Sequence, residues 1–92
     1  MHVILADTHG PVLGKEQSST NLGLLYLAAY ARRDLPGLTP HYIPQSKPRE
    51  DHFEMVERLR PAVYALSFTS YGAQVAYAMM RDLKARFPWL TI

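Results

Sequence analysis

The stretch from Ala62 to Pro88, "AVYALSFTSYGAQVAYAMMRDLKARFP", carries two hydrophobic periods one after the other. Ala62-Val63-Tyr64-Ala65-Leu66-Ser67 is a short apolar run of strand length. Ala76, Met79-Met80, Leu83 and Phe87 then recur at helical spacing until Pro88 closes the pattern. Between them lies a polar and aromatic turn, Phe68 to Gly72. A strand passing directly into a helix is half of a strand–helix–strand unit, so the fold depends on whether the rest of the chain repeats it.

Two upstream segments do. His2-Val3-Ile4-Leu5-Ala6 is an apolar run with β-branched members, suited to a strand buried on both faces. Leu24-Leu25, Leu27-Ala28 and Ala31 repeat at helical spacing, with Thr20 or Asn21 as the expected N-cap. Arg32-Arg33 suits the negative end of that helix, and Pro36-Gly37 stops it. Thr39 to Ile43 reads as a second strand, placed at a sheet edge because Pro40 and Pro44 limit its ladder bonds. Glu50-Asp51 opens another helix, whose Phe53, Val56 and Leu59 lie three apart before Pro61. Trp89 to Ile92 starts a fourth strand. Three strand–helix alternations predict a three-layer α/β fold with a parallel sheet, flavodoxin-like (Rossmann-like) in type, and right-handed crossovers. About five strands are usual for such a domain, so the chain is expected to be one incomplete domain, truncated after the start of strand four. Two copies can pair through the sheet edge this exposes.

Composition narrows the function. The chain has 92 residues, 48% hydrophobic and 20% charged, with no cysteine, which excludes disulfides, thiolate metal sites and any cluster held by its own thiolates. No apolar run reaches membrane-span length, and Met1-His2-Val3 lacks the basic start of a signal peptide, so a cytoplasmic protein is expected. The net charge of +2 is dispersed over solvent-facing positions. No RNP-like, KH-like or zinc-finger pattern accompanies it, so nucleic acid is not an expected partner.

Ligands of open parallel sheets bind outside the carboxyl ends of the strands. Two loops reach that edge here: Asp7 to Thr20 and Phe68 to Gly72. The first is far longer than the roughly two to six residues a strand–helix connection needs, which marks it as a binding loop. Gly10 and Gly14 do not form a G-x-G-x-x-G, and Gly14-Lys15-Glu16 is not a Walker ending. A receiver-type phosphoacceptor fits poorly, because Asp7 is a single acid after strand one and Ser67 stands where strand three would need its aspartate.

The run "NLGLLYLAAYARR" (Asn21 to Arg33), entered from a Pro/Gly loop, and the run "RLRPAVYALSFTSYGAQVAYAMMRDLKARFPWLTI" (Arg58 to Ile92) resemble the N-terminal cobalamin-binding domain of B12-dependent radical SAM enzymes. The shared features are the loop after strand one, the basic-Pro pair Arg60-Pro61, the Ser/Thr loop after strand three and the long helix that follows. The resemblance covers nearly all of the chain and consists of pattern more than fixed catalytic residues. It implies a flavodoxin-like sheet that holds cobalamin across its carboxyl edge, facing a downstream radical SAM domain as partner. S-adenosylmethionine and the 4Fe-4S cluster would belong to that domain, so this chain alone is expected not to be catalytic.

A corrinoid needs a polar rim and a narrow slot for its nucleotide tail. The expected cofactor-binding residues are Asp7, Thr8, His9 and Gly10 in the first loop, Thr20, Asn21 and Gly23 at the start of helix one, and Ser67, Thr69, Ser70 and Tyr71 after strand three. Gly23, Ala28 and Ala29 slim the helix, and Ala65 with Ser67 slim the strand opposite. Thr20, Asn21 and the first helical amides suit a phosphate. Asp7-Thr8-His9 also resembles the Asp-x-His-x-x-Gly of corrinoid mutases, in which the histidine ligates cobalt and the aspartate orients it. Val12 stands where the glycine belongs. Two readings therefore remain: His9 as axial cobalt ligand, or Asp7 as a turn cap with His9 lining the pocket.

Other residues read more plainly. Met79-Met80 and Phe87 are expected in the core, and Tyr26, Tyr30 and Tyr77 half-buried on helices. His2, His41 and His52 show no ligand spacing to one another. A flavodoxin-like module that binds another phosphate-bearing small molecule, or a protein partner, is the alternative function.

Overall fold

Each apolar run becomes the element its period requires. The computed structural model describes residues 1–8, 22–68 and 72–92. In chain order they form β1 (His2–Asp7), α1 (Leu22–Asp34), β2 (Thr39–Ile43), α2 (Arg49–Leu59), β3 (Val63–Ser67) and α3 (Ala73–Arg86). The strands make a parallel sheet in the order β2-β1-β3. His2 to Ala6 pair with Thr39 to Ile43, and Val3 to Asp7 pair with Val63 to Ser67. Pro40 is tolerated because β2 is an edge strand, as expected.

Side chains alternate across a sheet, and paired residues share a face. One face carries Ile4, Ala6, Ile43, Tyr64 and Leu66. Val56 of α2, Met79 and Leu83 of α3, Phe87 and Leu90 complete a single core cluster with them. Full burial of a side chain such as Met79 contributes about 1.5–3 kcal/mol. The opposite face carries Val3, Leu5, Asp7, Pro40, Tyr42, Val63, Ala65 and Ser67, and it receives α1, which lies over β2 and β1. Right-handed crossovers produce this division for this strand order.

That division explains where the helical expectations held and where they did not. Met79 and Phe87 are buried in the core. α1 buries Leu24, Ala28 and Ala31, but Leu25 and Leu27 of the same repeat are exposed. Tyr26, Tyr30 and Tyr77 are also exposed, at 73%, 58% and 60%, rather than half-buried. The reason is geometric: a helix lying on a sheet buries one stripe, and spacing cannot show what, among the described residues, covers the rest of it.

The helix ends follow from charge and backbone. Glu50 and Asp51 occupy the first turn of α2, and Arg32 with Arg33 the last turn of α1. α2 stops at Arg60, a left-handed cap (φ 48°) whose N–H donates to Val56 O at 2.9 Å, and Pro61 follows. After α3 the fourth strand is minimal. Pro88 and Trp89 form a turn, and Thr91 makes one parallel bridge to Val63, with Tyr64 N–H donating to Thr91 O at 2.8 Å. Lys84 Nζ ties this corner by donating to the carbonyls of Pro88 (3.1 Å) and Leu90 (2.5 Å). No helix among the described residues is long and apolar enough to cross a membrane.

Candidate functional site at the carboxyl edge

β1 and β3 end side by side, with Asp7 in register with Ser67. One residue further, Thr8 locks the two strand ends. Its backbone N–H and its hydroxyl both donate to the Ser67 carbonyl, at 3.1 and 2.7 Å. Thr8 is buried. Gly72, which precedes α3, sits directly over it, since a Cβ at Gly72 would lie 3.7 Å from Thr8 Cγ2. α3 therefore starts on top of the β1–β3 junction, and its N-cap is Gly72, which has no side chain to cap the first turn.

This places the expected residues in three groups. Asp7, Thr8 and Ser67 come together at one point of the carboxyl edge. Gly23 is exposed in the first turn of α1. His9, Gly10, Thr20, Asn21, Thr69, Ser70 and Tyr71 lie outside the described residues, and with them the question of cobalt ligation by His9. Within the first group the roles differ. The Thr8 hydroxyl is committed to the Ser67 carbonyl, so Thr8 sets the geometry of the edge.

Behind the edge runs a lane on the α1 side of the sheet. Val63, Ala65 and Ser67 face it from β3, with Val3, Leu5 and Asp7 beside them, and all are half-buried. α1 covers β2 and β1 on this face, so β3 forms the open side of the lane among the described residues. Ala65 and Ser67 are the small residues expected to keep the strand slim there. The slim helix expected opposite is present in part: Ala28 packs inward, whereas Gly23 and Ala29 face solvent.

No protein-family model, curated protein or solved structure matches this chain. The site is therefore characterised by its own chemistry.

A second concavity, a shallow groove of about 350 Å³ lined by Arg49, Glu50, Phe53, Glu54, Glu57 and Arg86, lies between α2 and α3. Both of its arginines are paired: Arg49 donates to Asp82 at 2.7 Å and Arg86 to Glu57 at 3.1 Å, with both guanidiniums against the Phe53 ring. The hydrogen bond from Arg49, then that from Arg81, hold the Asp82 carboxyl below its usual range. This is a clasp between helices.

Sequence spacing missed two histidine arrangements. His52 is fully buried, its Nδ1 2.7 Å from the Tyr64 hydroxyl, which also lies 3.9 Å from Met79 Sδ. His2 Nδ1 lies 2.9 Å from His41 Nε2 on the neighbouring strand. Neither contact has a local signal: the packing of α2 against the sheet sets the first, and strand register sets the second. No group of three or more His, Asp or Glu positioned for a metal ion exists among the described residues.

Proposed function

We propose that this chain is a cobalamin-binding module of the kind that accompanies a radical SAM domain, built on a flavodoxin-like sheet. The carrying observation is the lane beside α1, floored by Ala65 and Ser67 and opening at the carboxyl edge where Asp7 meets Ser67. A part-apolar lane with a polar mouth suits a corrinoid tail and its amide-bearing rim. Strand order supports the reading as well: β2-β1-β3 with the Thr91 bridge on the outer side of β3 follows the order 2-1-3-4 of flavodoxin-like sheets.

Bound cobalamin supplies a cobalt centre able to carry a methyl group; the residues of this chain bind and orient it. Ser67 and Asp7 sit where amide groups would be received, and Thr8 holds the β1 and β3 ends at fixed separation. His9, Gly10, Thr20, Asn21, Thr69, Ser70 and Tyr71 are the remaining rim in this reading. S-adenosylmethionine and the iron–sulfur cluster belong to the radical SAM domain, because no thiolate exists in these 92 residues.

The test is a titration of the purified protein with hydroxocobalamin, followed by dialysis and absorption spectroscopy. Corrinoid retained by the wild type and lost in Ala65→Phe, with an unchanged circular dichroism spectrum, supports the lane as the site. A folded wild type that dialyses colourless overturns the reading.

A further inference from the structure

The amino-terminal edge of the sheet, opposite the candidate site, carries a device that the proposed function does not use. His2 on β1 and His41 on β2 lie on the same face. Their rings are 5.0 Å apart and Nδ1 of one is 2.9 Å from Nε2 of the other. A hydrogen bond between two imidazoles needs one N–H and one free lone pair. It therefore exists when the pair is neutral or singly protonated, and it cannot exist when both rings carry a proton. Both residues are half-buried, so water reaches the pair.

The surroundings add positive charge. Arg58 in the last turn of α2 and Arg32 in the last turn of α1 both act on His41. Glu54 pairs with Arg58 at 3.2 Å, and the Met1 ammonium donates to the Gly37 carbonyl at 2.8 Å in the same corner. Burial first, then His2, Arg58 and Arg32, hold the His41 pKa below its ordinary value.

We propose that the His2–His41 pair is an acid-sensitive latch on the edge strand β2. Neutral, it fastens β2 to β1 beside the bond from Thr39 N–H to Met1 O (2.7 Å). Doubly protonated, the two rings repel and the strand's amino-terminal half loosens. The sign follows from linkage. A histidine whose folded pKa is depressed contributes stability that is present above the unfolded value of about 6.5 and is lost as pH falls toward the folded value. β2 carries Ile43 into the core and Pro40 under α1, so loosening it changes the support of α1.

Amide hydrogen exchange, corrected for intrinsic rates, tests this together with imidazole-nitrogen NMR shifts across about pH 7.5 to 5. The β2 amides are expected to lose protection as the pH falls through this range, while β3 and α3 amides keep theirs. Amides of β3 and α3 also report any global effect of the buried His52. The loss should coincide with protonation of both rings and should disappear in His2→Gln and in His41→Gln, each measured separately. Equal acid sensitivity in either variant overturns the proposal. So does β2 opening that does not track the ring titration in the wild type.

Discussion

The Thr8 hydroxyl donates to the Ser67 carbonyl at 2.7 Å, 59 residues away in the chain, from a side chain that is 5% exposed. The Thr8 backbone N–H also reaches that carbonyl, so one acceptor ties the ends of β1 and β3 together, with Gly72 at the start of α3 close against the Thr8 side chain. Thr8→Val keeps the shape and the backbone bond and removes the hydroxyl. The expected cost is about 0.5–1.5 kcal/mol, read as a lower denaturant midpoint, with faster exchange in the first turn of α3.

Ala6 and Ala65 occupy neighbouring strands but opposite faces. Ala6 is fully buried beneath α2 and α3, whereas Ala65 faces the lane. Ala6→Phe should overpack the core and cost about 1–3 kcal/mol or more. Ala65→Phe should stay within about 1 kcal/mol of wild type, because the open side of the sheet accepts volume. Parallel thermal melts of the two variants check this, and equal losses would show that the lane is filled.

Tyr64 is buried, and desolvation pushes its hydroxyl pKa far above the ordinary value. Its contribution is therefore complete below about pH 10, the unfolded value, and is lost as pH rises toward the folded value. In an alkaline absorbance titration Tyr64 should ionise only together with unfolding, and Tyr64→Phe should remove that step. At neutral pH the same variant takes a partner from His52 Nδ1. The expected cost is about 1–3 kcal/mol by chemical denaturation.

Arg60 joins two opposing terms. Its left-handed backbone (φ 48°) is a conformation glycine adopts more cheaply, by roughly 1 kcal/mol. Its guanidinium also lies 4.4 Å over the Trp89 ring, a contact worth about 0.5–1 kcal/mol when exposed. Arg60→Gly should therefore leave the melting temperature nearly unchanged while altering Trp89 fluorescence. Arg60→Val loses the contact and places a branched side chain in the left-handed region, so it should be clearly destabilised.

Sequence alone determined the order and kind of every described element. The period-2 and period-3.6 runs are written locally, Pro36-Gly37 and Pro61 punctuate them, and charges at the helix ends confirm their direction. It also placed Asp7 and Ser67 at one edge, because parallel alternation sends the loops after β1 and β3 to the same side. Tertiary structure decided what each face meets. A local period marks the apolar stripe of α1 but cannot say which of its faces meets β2 and β1, and Leu27, Tyr26 and Tyr30 are exposed among the described residues. Spacing along the chain likewise cannot bring His2 to His41, or Thr8 to Ser67, since those contacts arise from strand register across 39 and 59 residues. The elements follow from short-range sterics and solvation; the contacts that give the sheet edges their chemistry follow only once the strands are paired.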